Sequence, residues 1–154
     1  MVSTGSTEGI GSTDGIGSTG AGYSGTPLAK KLGVKDGHVV LLDRLPDGLE
    51  LGLPPAARVV RRVRSGLDVT VTFHTRLATL LDRLPVLFEH TVTDGMVWVA
   101  WPKQTAARKL GIETDLSDNV VRGAGLELGW VDVKVAAIDE TWSGLKFVRR
   151  LADR

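Results

Sequence analysis

The run MVWVAW at residues 96–101 is apolar at every position and carries two of the chain's four tryptophans. Side chains of a strand alternate between two faces, so a strand that is apolar on both must be covered on both. A sheet with one wet face cannot hold it. The run therefore predicts a central strand, opened by a turn at Thr93-Asp94-Gly95, in a sheet sandwiched between helical layers.

The elements on either side fit that frame. Residues 38–43 (HVVLLD) read as a buried strand ending in a carboxylate, and 68–74 (DVTVTFH) as a strand with Val69, Val71 and Phe73 on its drier face and Thr70, Thr72 and His74 on the other. Thr75 can cap a helix whose Leu77, Leu80, Leu81, Leu84, Leu87 and Phe88 form one apolar stripe, with Pro85 expected to kink or split it. A polar loop is expected over 102–114. Asp115 then caps a helix bearing Leu116, Val120, Ala124 and Leu128 and stopped by Gly129. Residues 131–139 and 145–150 alternate as an antiparallel hairpin turning at 140–144. Upstream, 26–32 predicts a short helix with Thr26 as cap, Pro27 in its first turn and Gly33 as its stop. Prolines 46, 54 and 55 and glycines 48 and 52 forbid a crossover helix over 44–57, and 58–63 reads as a weak strand that is short, extended or absent. This order predicts a small three-layer Rossmann/methyltransferase-like α/β sheet, mainly parallel, with a C-terminal antiparallel hairpin at its edge.

Before this domain, residues 6–23 repeat in steps of six (STEGIG, STDGIG, STGAGY), offering little to bury beyond Ile10 and Ile16. The composition predicts a disordered Gly/Ser/Thr tail over 1–21 and a single domain over 22–154. Lys+Arg 19 against Asp+Glu 18 leaves +1, a balance that disfavours nucleic acid and an anionic membrane as partners. With no cysteine, no membrane-length apolar run and no signal-like N-terminus, a cytoplasmic protein is expected.

GYSGTPLAKKLG (22–33), VWVAWPK (97–103), TDLSDNVVR (114–122) and VDVKVAAIDETWSGLKFVRR (131–150) resemble a largely actinobacterial family, domain of unknown function 3052. The resemblance spans nearly all of 22–150 and implies no activity, since none is established for that family. The chain departs from the family pattern in a longer loop after Lys103 and in Thr70 and Thr72, where aliphatic residues are expected. Element order also resembles a trimmed class I methyltransferase, a likeness of fold that confers no function.

The motifs that carry chemistry are mostly missing. A dinucleotide or S-adenosylmethionine site needs glycines directly after the first strand and a carboxylate after the second. Here Asp43-Arg44-Leu45-Pro46 and Arg61-Arg62 stand in those places, so no cofactor is expected. His38, His74 and His90 lack metal-ligand spacing, and no metal is expected. Ser24 lacks the flanking pattern of a nucleophile elbow, and the Gly-rich tail lacks the strand and Lys of a phosphate loop. Arg58, Arg61, Arg62 and Arg64 read as a solvated strand face.

In a parallel sheet, ligands collect beyond the carboxyl ends of the strands. That edge would gather Asp43, His74, Thr75, Arg76, Lys103, Asp139 and Glu140, with Trp142 at the hairpin corner. The main expectation is a non-catalytic binding or regulatory module for a protein or small-molecule partner, with self-association open. The alternative is a small enzyme acting on an anionic metabolite, such as a divergent methyltransferase-like protein, with Asp139 or Glu140 as acid or base and Lys103 or Arg76 holding the anion.

Overall fold

A computed structural model describes residues 26–154 and, in backbone only, two short strands, Glu8–Ser12 (β1) and Asp14–Ser18 (β2). These two pair antiparallel with Ile10 opposite Ile16, apart from the main sheet. The remainder of the tail, with Ser24, lies outside the described residues.

The main sheet has six strands: Val39–Asp43 (β3), Arg58–Val60 (β4), Leu67–Phe73 (β5), Thr91–Pro102 (β6), Trp130–Ala137 (β7) and Trp142–Arg149 (β8). Their order is β4-β3-β5-β6-β8-β7. β4, β3, β5 and β6 are mutually parallel, and β8 runs antiparallel to both β6 and β7. The C-terminal hairpin therefore lies at the edge of the sheet as expected, with its reversed strand β8 between β6 and β7. β7 forms the edge and points the same way as the parallel strands. The short connection from β4 to β5 is accommodated because β4 is only three residues long and ends at Val60, leaving residues 61–66 to return past β3 to the start of β5.

Layers cover both faces. Leu77–Glu89 (α2) and Asp118–Glu127 (α4) pack on one, where Leu80, Leu84, Phe88, Val97, Val99, Trp101, Val121, Leu145 and Phe147 form a core. Leu28–Leu32 (α1) and the helix-free segment after β3 cover the other, burying Leu32, Val40, Leu42, Leu51, Val69, Val71, Phe73, Trp98 and Ile138. Prolines and glycines forbid a crossover helix there, and Leu45, Leu49 and Leu53 supply its apolar cover from an irregular segment.

β5 corrects the expectation of one drier face. Thr70 and Thr72 are fully buried, because α2 lies over them and the strand is central. Thr93-Asp94-Gly95 is not a turn. It lies within β6 as a bulge, where pairing jumps from Leu67–Thr91 to Val69–Met96. Gly95 is required there, since a Cβ would meet the Asp68 carbonyl oxygen at 2.9 Å.

Pro85 neither splits α2 nor ends it. Its ring frees the carbonyl of Leu81, which lies on the exposed side, where water can satisfy it. α2 is not capped by Thr75. Asp115 Oδ1 accepts from Leu77 N at 2.8 Å, so a carboxylate from 38 residues downstream serves the helix start. Ser117 caps α4 in the place expected of Asp115, its Oγ accepting from Val120 N. The polar loop expected over 102–114 contains a helix, Gln104–Leu110 (α3), stopped by Gly111 at φ 71°. Ala106 and Ala107 favour it once Pro102 has ended the strand.

α4 crosses the sheet at Gly125, where a Cβ would overlap Cε1 and Cζ of the Phe147 ring. The ring is buried and pinned edge-on to Phe88, so it cannot yield. Gly125→Ala is expected to lose about 2 kcal/mol despite alanine's better helix propensity, measurable by urea unfolding.

Candidate functional site

From β3 the chain passes outward to β4, whereas from β5 it passes the other way to β6. The carboxyl ends of β3 and β5 therefore bound the topological switch point, where an open parallel sheet leaves a crevice for ligands. Asp43 and Arg44 leave β3 at this point, and His74 and Thr75 leave β5. Arg44 is the sole non-glycine with positive φ (59°) among the described residues. Its Nε donates to the Phe73 carbonyl at 3.3 Å, tying the two strand ends together. The outer N–H groups of its exposed fork have no partner among the described residues.

Behind Arg44 lies a buried polar cluster on the α2 face of the sheet. Asp43, 4% exposed, accepts from Arg83 Nη2 at 2.8 Å and Arg83 Nε at 3.1 Å, and from Thr72 Oγ1 at 2.7 Å. Burial alone would raise the Asp43 pKa, but the hydrogen bonds from Arg83 and Thr72 and the Arg83 charge outweigh it and hold the carboxyl below its usual range. His74 Nε2 lies 2.7 Å from Thr72 Oγ1 and Nδ1 lies 2.9 Å from Thr79 Oγ1. Thr79 Oγ1 in turn donates to the Arg76 carbonyl at 3.0 Å.

Proton counting constrains His74. With Thr72 donating to Asp43 and Thr79 to Arg76, both ring nitrogens would have to donate, which only an imidazolium can do. Burial first, then the charge of Arg44, push the His74 pKa down to about 4, with Asp43 opposing them. Near neutral pH the ring is thus neutral, and one hydroxyl turns its proton toward it. His74 is a buried positioning group that ties the end of β5 to the first turn of α2.

The other sequence candidates sit at the same end of the sheet, engaged in structure. Lys103 Nζ donates to the Asp139 carbonyl at 2.8 Å. The Asp139 carboxylate accepts from Thr141 N and Trp142 N at 2.8 and 2.7 Å, building the β7–β8 turn. Trp142 packs edge-on to Phe73 at 5.2 Å between centroids, joining this turn to the crevice wall. Arg76 pairs with Glu113 at 2.8 Å in solvent, and Glu140 is exposed on the turn. Asp139 and Lys103, suggested as base and anion holder, thus spend those groups on backbone.

Arg44, Thr72, Thr79 and Arg83 were missed. Thr72 had a signal, as a hydroxyl where an aliphatic residue is expected. Arg83 lies on the flank of the leucine stripe, where only the docking of α2 reveals its reach to Asp43.

The crevice does not fit S-adenosylmethionine in the usual mode. The loop after Asp43 starts with an arginine in the glycine conformation, Pro46 has no N–H, and Leu45 and Leu49 are turned into the core. Beyond β4 stand exposed Arg61 and Arg62 with no carboxylate for a ribose. Among the described residues no group of three or more acidic or histidine side chains could hold a metal ion, and no helix is long and apolar enough to cross a membrane.

No family model and no curated protein matches the chain. Solved structures do match in fold. LepI in complex with SAM aligns at TM-score 0.50 and 11% identity over 80% of this chain and 39% of LepI. A single-residue variant of LepI, in complex with SAH and a substrate analogue, aligns at 0.51 and 12% over the same shares. The N-methyltransferase NodS from Bradyrhizobium japonicum WM9 aligns at 0.50 and 10%, over 71% of this chain and 84% of NodS. The chain thus spans well under half of LepI. The expectation of a non-catalytic module is not supported, since the structures that match in fold are a protein in complex with SAM and an N-methyltransferase. What the chain shares with them is the class I methyltransferase fold, a Rossmann-like sheet with its reversed strand next to last.

Proposed function

We propose that this chain is a small enzyme of methyltransferase-like fold that acts on an anionic metabolite in the crevice between the ends of β3 and β5. The observation that carries the reading is Arg44, a guanidinium held at φ 59° at the switch point with its outer donors free. Non-glycine residues in this conformation cost about 1 kcal/mol, and such strain collects at functional sites. Arg44 supplies a planar fork suited to carboxylate or phosphate. The Asp43–Arg83–Thr72–His74 cluster fixes the strand ends beneath it, and Trp142 and Phe73 form an apolar flank. Membership of the domain of unknown function 3052 family and a cytoplasmic setting belong to the same proposal.

A thermal-shift panel of phosphates, dicarboxylates and S-adenosylmethionine tests it. A bound anion at about a hundred times its Kd adds about 2.7 kcal/mol to the wild type. Arg44→Gly is expected to keep or slightly raise the ligand-free midpoint, since glycine accepts this φ, while losing the response to dicarboxylates. Stabilisation by S-adenosylmethionine with none by anions would replace this reading with cofactor binding in an unusual mode.

A further inference from the structure

We propose a second anion site, on the α1 face of the sheet, in which Lys31, Lys134 and Lys146 bind a compact phosphate-type polyanion. Lys134 and Lys146 are register partners across β7 and β8, so two like charges stand directly opposite. Such pairs are destabilising unless compensated. Lys146 is also the register partner of Trp98, whose Nε1 donates to the Leu32 carbonyl at 2.9 Å and so brings the C-terminal end of α1 over the pair. A Cβ placed on Gly33, the residue that ends α1, would lie 4.0 Å from Lys146 Nζ. Lys31 in the last turn of α1 completes the group. None of the three has an ion-pair partner among the described residues.

Each lysine alone has an ordinary explanation. A cation in the last turn suits the helix dipole, and a lysine on an edge strand discourages edge pairing. Neither accounts for Lys146, which is half-buried on an inner strand directly opposite another ammonium. Partial burial and the Lys134 charge both lower the pKa of Lys31 and of Lys146, the expected mark of cations crowded together without a counter-charge. Three compact ammonium groups suit the dense charge of phosphate, which lysine binds as a point charge.

This site is distinct from the crevice. Lys146 lies opposite Trp98, and Trp142 lies opposite Pro102 at the carboxyl end, about 13 Å further along the strand. The test is calorimetric titration of the full chain with pyrophosphate, and separately with ADP, at fixed ionic strength. In an Arg44→Gly background, which removes the anion donor of the crevice, saturable binding is expected to persist and to be weakened about tenfold or more by adding Lys134→Gln or Lys146→Gln. Equal affinity for the two probes assigns the site to phosphate alone, whereas tighter ADP binding assigns it to a nucleotide. Without ligand, Lys134→Gln should raise the melting midpoint by about 2 °C as the repulsion is relieved. Absence of saturable binding to either probe in the Arg44→Gly background, binding there that Lys134→Gln and Lys146→Gln leave intact, or a lowered midpoint in Lys134→Gln would overturn the proposal.

Discussion

Arg83→Leu is expected to destabilise the domain by about 3 kcal/mol at pH 7, because it strands the Asp43 carboxylate beneath α2. Asp43 is almost fully buried, whereas the Arg83 side chain is about a third exposed, so water would soften the loss and hold it near the lower end of the range for broken buried pairs. The pH dependence should also reverse. In the wild type the folded Asp43 pKa lies below its ordinary value, so its contribution is present above that value and is lost as pH falls through the folded pKa. In Arg83→Leu burial raises the pKa instead, and acidification toward pH 5 should recover stability. Adding Asp43→Asn to Arg83→Leu should restore most of the loss, since no charge remains to be stranded. Urea unfolding at pH 7 and pH 5 reads all three effects. A loss below about 0.5 kcal/mol would show that the pair is no more than a surface salt bridge.

The second large effect is acid destabilisation through His74. Its folded pKa of about 4 lies below its ordinary 6.5. Between these values the unfolded chain binds the proton and the folded chain does not. Stability therefore falls as pH drops from 6.5 toward 4 and levels off below, by at most about 3 kcal/mol. The one extra N–H donor that an imidazolium offers opposes this fall and sets the size below that ceiling. His74→Gln should flatten the profile in that window. An unchanged slope in the variant would assign the acid sensitivity to other groups.

Much of this architecture was legible from alternation and punctuation. MVWVAW placed the central strand, the prolines after Asp43 removed a helix, and the C-terminal hairpin was apparent. Which of its two strands pairs inward was not, because alternation is the same for the outer strand of a hairpin and for the one that joins the sheet. Local patterns also hide service across distance. Asp115 looks like a cap for the helix that follows it, yet it satisfies the start of α2. Thr70 and Thr72 look like a wet face, yet α2 buries them. The strand-end rule put Asp43 and His74 at the carboxyl ends of β3 and β5, where they lie, but the exposed guanidinium on which the anion proposal rests sits in a positive-φ backbone conformation that nothing in the sequence announces.

The central claim is that the crevice at the β3/β5 switch point receives an anion through Arg44. It is tested most directly by titrating the ¹⁵N-labelled chain with phosphate and with a dicarboxylate while following backbone amides. Saturable shifts concentrated at residues 43–46 and 73–76, lost in Arg44→Gly, are the expected result. A titration that moves no amide at that edge, or one that Arg44→Gly leaves intact, would contradict the account.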